Sequence, residues 1–219
     1  MAQESNSRCK PWFYHFIKIA LFILFKLCFR FRSYGGEKIP MDERGVILAP
    51  NHSSYLDPPA AVVALKRRAT FLAKEYLFKV PVFGTALYWI GVLPVKSETD
   101  EFRSIRQVIR ALRDGKMIVV FPEGTRSADD ALREAEGGVG FLAVKSAAWV
   151  VPVYISGTFK AFPRQRKMFR PHPVSTHYGE PFIPAQTPEI MNDPDPYLAT
   201  GRRIMAAIRR IKEEADAVR

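Results

Sequence analysis

Apolar residues gather along this chain in short runs separated by Gly, Pro and charged clusters. The densest block is residues 11–32, PWFYHFIKIALFILFKLCFRFR, rich in Phe, Ile and Leu and free of acidic residues. Its longest uncharged apolar stretch, Ile19 to Phe25, is bounded by Lys18 and Lys26. That falls short of the ~20 apolar residues a spanning helix needs. A signal peptide fits poorly, because the lysines interrupt the apolar region and no small-residue cleavage site follows. Wound as a helix at ~100° per residue, the block places His15, Lys18, Lys26 and Arg30 within an arc of roughly 120°, with Phe22 intruding. The remaining face is aromatic and aliphatic. Such a helix is expected to dock at a membrane interface. Lys18, Lys26 and Arg30 would meet lipid phosphates, and Trp12, Phe13 and Phe16 would sink among acyl chains. The bland alternative is a helix packed on the protein's own core with snorkelling lysines.

Beyond Gly35-Gly36 the pattern alternates between strand and helix. Val46–Ala49 is a short apolar run ended by Pro50, as in a buried strand. Asp57-Pro58-Pro59 predicts a helix to about Lys66, with Asp as cap and Pro in the first turn. Thr70–Ala73, Gly91–Val95, Met117–Phe121, Val151–Ile155 and Val174–Tyr178 read as strands. Phe83–Ile90, Thr99–Arg113 and Val139–Ala148 read as helices, the second on Phe102, Ile105, Val108, Ile109 and Leu112. Ile204, Ile208, Ile211 and Ala215 mark a final amphipathic helix. Residues 186–196 read as a surface connection. The expected fold is α/β, a mostly parallel or mixed central sheet flanked by helices. It divides into an N-terminal docking segment, 1–35, and a domain, 36–219.

The 219 residues allow one domain plus a short appendage. Lys and Arg (33) outnumber Asp and Glu (22), a net charge of +11. The partner is therefore expected to be anionic: nucleic acid, a membrane surface or a phosphorylated small molecule. Two Cys exclude a disulfide framework and a thiolate zinc site. The four scattered His offer no metal-binding spacing, so no metal is expected.

Two loops carry candidate chemistry, each directly after a buried strand, where open α/β sheets place their sites. In Asn51-His52-Ser53-Ser54-Tyr55-Leu56-Asp57, His52 can serve as a general base and Asp57 can fold back onto its ring. The plain alternative is a helix-capping Asp beside a loop His. In Phe121-Pro122-Glu123-Gly124-Thr125-Arg126-Ser127, Gly124 allows close backbone approach and Arg126 offers a fork of donors to phosphate. The plain alternative there is a turn with a surface Arg.

Together the two blocks resemble the glycerolipid acyltransferase family. Asn51 to Asp57 matches its Asn-His-x-x-x-x-Asp block, and Phe121 to Ser127 matches its Phe-Pro-Glu-Gly-Thr-Arg-Ser block. Val151-Pro152-Val153 through Gly157, Lys74-Glu75-x-Leu77 and Pro81-x-x-Gly84 also resemble the family. One block departs: Gly91-Val-Leu-Pro-Val-Lys96-Ser97 has Ser at the family's Arg position, leaving Lys96, Arg103 or Arg106 as substitutes.

The resemblance implies transfer of a fatty acyl group from coenzyme A or acyl carrier protein to a lysophospholipid hydroxyl. The first-choice acceptor is 1-acylglycerol-3-phosphate, giving phosphatidic acid; glycerol-3-phosphate and other lysolipids remain. The thioester is a co-substrate and no cofactor is expected. His52 and Asp57 would be catalytic. Asn51, Lys74, Glu123, Gly124, Thr125 and Arg126 would bind substrate, with backbone amides near His52 as oxyanion donors. Transfer is expected to be direct, without an acyl-Ser, because no Gly-x-Ser-x-Gly elbow is present. The enzyme would sit on the cytoplasmic face of a membrane, expected to be a bacterial inner membrane. Three rivals remain. A non-catalytic anionic-membrane protein would bind liposomes without acyl transfer. A thioester hydrolase would release free fatty acid. A nucleic-acid module could use Lys160 to Arg170 as a phosphate strip, but no nucleic-acid motif is present and nucleic acid is not the expected partner.

Overall fold

The central strands alternate strictly between two apolar layers. In the computed structural model, which describes residues 9–95, 101–163, 165–166 and 168–217, Val46 and Leu48 face one core while Ile47 and Ala49 face the other. Met117 and Val119 oppose Ile118 in the same way, and Val151, Val153 and Ile155 oppose Val150 and Tyr154. Strands covered on both faces read as continuous apolar runs, which is how these three appear in the sequence.

The chain begins with α1 (Pro11–Phe29). It continues through β1 (Arg32–Tyr34), β2 (Val46–Pro50), α2 (Asp57–Ala60), β3 (Ala69–Thr70), β4 (Leu72–Lys74) and α3 (Phe83–Ile90). Then come β5 (Leu93–Val95), α4 (Glu101–Arg113), β6 (Met117–Val119), α5 (Gly137–Ser146) and β7 (Trp149–Ser156). Last are α6 (Thr158–Ala161), β8 (Ser175–Tyr178), α7 (Pro188–Met191) and α8 (Pro196–Ala217). Six strands form a mixed sheet in the order β1-β8-β7-β2-β6-β3. Only the β7–β8 pairing is antiparallel; the other four are parallel. β4 and β5 make a separate parallel pair.

Helix α1 covers one face of the sheet, where Phe25, Phe29 and Phe31 join the core beneath β2 and β7. The other face lies under α4, α5 and α8, which bury Val108, Leu112, Leu142, Ile204, Met205 and Ile208. The expected stripe on α8 is thus confirmed. Each fully buried Ile contributes about 1.5–3 kcal/mol. α5 approaches α8 closely because Gly140 has no side chain: a Cβ there would lie 1.9 Å from the Tyr197 carbonyl oxygen.

Four local readings differ from the structure. The helix from Asp57 stops at Ala60, and the chain goes on in turns. The single strand at Thr70–Ala73 is two: Ala69–Thr70 pairs with β6, and Leu72–Lys74 swings away to β5. Phe102, counted in the apolar stripe of α4, is exposed. Residues 186–196 contain α7, pinned by buried Ile190. β1, within the segment assigned to docking, hydrogen-bonds in register with Ser175–His177, so the N-terminal segment is stitched to the sheet just before residue 35.

The N-terminal helix also turns the expected way up only in part. By length and composition its 19 residues suffice to cross a membrane; two lysines do not break a helix of that apolarity. Its inner row is Tyr14, Phe25 and Phe29, all buried. Lys18, expected to face lipid phosphates, instead donates to the Leu65 carbonyl, and burial pushes its ammonium pKa down. Lys26 donates to the Phe31 carbonyl at 2.9 Å. Phe13 packs edge-on against Trp89 at 5.1 Å. Arg30 terminates the helix in the left-handed region, φ 45°, and is exposed. Trp12 and Phe16 remain outward, 63% and 61% exposed.

Candidate active site

Strands β2 and β6 are parallel neighbours, so the loops that follow them leave the same edge of the sheet. The two loops are hydrogen-bonded into one unit. The His52 N–H donates to Glu123 Oε1 at 3.0 Å, and the Ser127 N–H donates to the His52 carbonyl at 2.7 Å. From the other side, β7 grips the His52 loop through Asn51. The Asn51 amide donates to the Ile155 carbonyl at 3.1 Å and accepts the Ile155 N–H at 2.7 Å.

The Asp57 carboxylate folds back beneath this loop and is fully buried. Its Oδ2 lies 2.9 Å from His52 Nδ1 and accepts the N–H groups of Ser53 and Ser54 at 2.7 and 2.6 Å. An oxygen that already accepts two backbone donors is an acceptor toward the ring as well. Nδ1 therefore carries the proton and Nε2 is left as the basic nitrogen. The ring lies flat on Phe121, 3.8 Å between centroids and 19° between planes. The imidazole is held by Asp57 at one nitrogen and by Phe121 across its face, which fixes its plane.

Glu123, expected to bind substrate, has a structural duty in the loop. It is buried, accepts the His52 N–H on one oxygen and the Arg133 N–H on the other at 3.4 Å, and burial pushes its carboxyl pKa up. Asn51 likewise holds the loop, both ends of its amide bonding to Ile155. The oxyanion expectation changes too. The amides of His52, Ser53 and Ser54 are committed to Glu123 and Asp57, so these three are not free for an incoming oxyanion.

Truncating Glu123 to Ala should lower stability by about 1–3 kcal/mol, the cost of leaving the His52 N–H without its acceptor. Thermal denaturation reads this directly. An unchanged melting temperature would show that Glu123 does not hold the loop.

Gly124 turns the second loop. Its φ is +66°, and a Cβ would lie 2.3 Å from the Glu136 carboxyl carbon. Thr125 follows in a tight turn, its N–H on the Glu123 carbonyl at 2.6 Å, and is exposed. The Arg126 guanidinium then lies over the ring of Tyr55, 3.8 Å from its centroid, with Nη1 buried and without a hydrogen-bond partner among the described residues. Tyr55 in turn approaches Phe162 at 5.6 Å.

Tyr55 and Phe121 are the residues that sequence reasoning passed over. Both lie inside the quoted blocks, but nothing in a linear sequence pairs an aromatic with a particular Arg or His.

Lys74 is exposed at the end of β4 in the smaller sheet, and no hydrogen bond among the described residues joins it to either loop. Lys96 and Ser97 lie outside the described residues, as do Arg164 and Lys167 of the basic strip. Arg103 and Arg106 are exposed on α4. Among the described residues, no group of three or more His, Cys, Asp or Glu side chains is placed to hold a metal ion.

The half-buried His52, its buried partner Asp57 and the adjacent Arg126 thus lie together at one edge of a mixed α/β sheet. The chain belongs to the acyltransferase family, whose model matches residues 30–156. It is 30% identical over 154 residues to the chloroplastic 1-acyl-sn-glycerol-3-phosphate acyltransferase LPAT1 of Arabidopsis thaliana, covering 69% of this chain and 43% of that protein. It is 28% identical over 169 residues to the 1-acyl-sn-glycerol-3-phosphate acyltransferase of Bacillus subtilis, covering 77% and 81%. The crystal structure of the 1-acyl-sn-glycerophosphate acyltransferase PlsC from Thermotoga maritima superposes with a TM-score of 0.68 at 27% identity, over 84% of this chain and 71% of that one. The chain spans less than half the length of the plant and algal relatives it matches.

Proposed function

We propose that this protein transfers a fatty acyl group from an acyl thioester to the free hydroxyl of a lysophospholipid. The first-choice acceptor is 1-acylglycerol-3-phosphate, with phosphatidic acid as product. The observation that carries this reading is the coupling of the His52–Asp57 pair, through two backbone hydrogen bonds, to the loop that presents Arg126. The similarity to 1-acyl-sn-glycerol-3-phosphate acyltransferases supports the acceptor.

A lipid hydroxyl is a weak nucleophile at neutral pH and needs a base. His52 Nε2 takes its proton as the oxygen attacks the thioester carbonyl. The C–S bond then breaks, and the imidazolium returns the proton to the departing thiolate. The products are an ester and a free thiol, and no other co-reactant is needed. Asp57 holds the ring in the correct tautomer and stabilises the imidazolium between the two proton transfers. Arg126 lies on Tyr55 with a buried Nη1 that has no hydrogen-bond partner among the described residues, which supports a role in taking the acceptor phosphate. Coenzyme A and acyl carrier protein both supply the required thioester.

The outward row of α1, Trp12, Phe16, Ile19, Ile23 and Leu27, is exposed and wholly apolar. Patches of that kind mark membrane contact, and the enzyme acts there on a lipid acceptor. With Lys18 turned inward, the helix docks through its apolar row more than through a basic face.

The deciding experiment is a panel of acceptors offered with acyl-coenzyme A and acyl carrier protein donors, following both acylated lipid and free fatty acid. Lysophosphatidate should give the highest turnover. Free fatty acid as the main product would favour a hydrolase instead. For Arg126→Ala, loss of one charge-assisted contact predicts a roughly 10–100-fold drop in kcat/KM toward lysophosphatidate, expressed mainly in KM. A loss confined to kcat would place Arg126 at the transition state and not on the ground-state phosphate.

A further inference from the structure

Between α6 and β8 the chain runs through Phe162 to Pro173, a loop that the site described above does not use. It is anchored at three points. Ser54 Oγ of the catalytic loop donates to the Phe162 carbonyl at 2.6 Å, with a β-bridge from Ser54 to Pro163 beside it. The Gln165 amide reaches the Ala128 carbonyl, just beyond the Arg126 loop, at 3.4 Å. On the far side Phe169 packs on Phe29, at the end of α1, at 5.6 Å. The loop thus joins the rim of the catalytic site to the C-terminal end of the docking helix.

What it displays is unusual for a solvent-facing loop. Met168 is 78% exposed and Phe169 47% exposed, although both are large and apolar. Arg166 and Arg170 stand on either side of them and are exposed. The four side chains line an open cleft of about 440 Å³. No acidic residue occurs between Lys160 and Glu180. Apolar tips flanked by cations match an anionic lipid surface: methylene and ring groups enter the acyl boundary while the guanidinium groups stay with phosphates. A soluble phosphate ligand would have no use for the exposed Met. The contact from Phe169 to the buried Phe29 ties the loop to the C-terminal end of α1, the helix whose outward Leu27 is 78% exposed.

We propose that Arg166, Met168, Phe169 and Arg170 form a second membrane contact, in which Met168 and Phe169 insert and Arg166 and Arg170 bind anionic headgroups, so that the edge bearing His52 and Arg126 is pressed toward the bilayer from which the acceptor comes. This rests on the acyltransferase reading for its purpose but not for its test. A single docking helix leaves rotation about its own axis free. A second contact, tied to both catalytic loops, removes that freedom and sets which edge faces the lipid.

The test uses the full chain and vesicles of phosphatidylcholine with or without phosphatidylglycerol, read by co-sedimentation. Met168→Asp and the double variant Arg166→Ala with Arg170→Ala should each weaken binding to the anionic vesicles, the double variant by roughly tenfold or more. Arg166→Lys with Arg170→Lys should restore it, because a charged surface, unlike a bidentate pocket, accepts either cation. Wild-type binding by both weakened variants would overturn the proposal.

A second arm measures acyl transfer to vesicle-borne lysophosphatidate and to a short-chain, monomeric lysophosphatidate. The variants should lose activity on the first and keep it on the second. A raised thioester KM with both acceptors would instead place the donor's phosphates on this loop and overturn the membrane assignment. If the wild-type protein acylates neither acceptor, the functional reading fails, while the vesicle arm still decides the loop.

Discussion

His52→Ala should leave the protein folded and reduce acyl transfer by about 10²–10⁴-fold or more, the range supplied by a positioned general base. The fold is expected to survive because the structural work of this residue is done by its backbone. Its N–H goes to Glu123 and its carbonyl accepts from Ser127, and both bonds persist in the alanine variant. What is lost is the ring between Asp57 and Phe121. Steady-state rates of thiol release, with circular dichroism to confirm the fold, check both halves. Near-normal turnover in a folded variant would remove His52 from the chemistry and require another group as the base.

The layered sheet was legible in the sequence because its strands are buried on both faces and so read as unbroken Val and Ile runs. Helix α8 was legible for the complementary reason: one face is buried, so Ile204, Ile208 and Ile211 recur at helical spacing. Strand β1 was not legible, because Arg32-Ser33-Tyr34 is exposed and polar and owes its conformation to the partner Ser175–His177. The site divides in the same way. The spacing of His52 and Asp57 allows a dyad, but it equally allows a helix-capping Asp, and the choice comes from the resemblance of the whole block. The duties of Asn51 and Glu123 stayed hidden. Their partners, Ile155 and the His52 backbone, lie 104 and 71 residues away in the chain. A polar residue inside a recognised block is easily read as touching substrate when it is holding the loop. Lys18 shows the same limit on α1. A helical wheel groups the cations, but it cannot say that the Leu65 carbonyl lies beneath one of them.

Asp57→Asn should be nearly as damaging as loss of the base, with a fall in kcat of about 10²–10⁴-fold and little change in either KM. Three N–H donors converge on Asp57 Oδ2: Ser53, Ser54 and His52 Nδ1. An asparagine can meet them in two ways. With its oxygen in that place, the three hydrogen bonds form, but the negative charge that stabilises the imidazolium is gone. With its amide nitrogen there, two backbone donors face another donor, and the ring must present Nδ1 as an acceptor. The proton then moves to Nε2, the atom required as the base. Both arrangements therefore raise the barrier to proton removal while leaving Arg126 and its proposed phosphate contact untouched. Asp57→Ala separates positioning from charge. It frees the ring and also strips two buried amides of their acceptor, so it should lose stability as well as rate, at about 1–3 kcal/mol for each unpaired group. A kcat for Asp57→Asn within a few-fold of wild type would mean that Asp57 serves only the Ser53 and Ser54 amides, and that His52 acts alone.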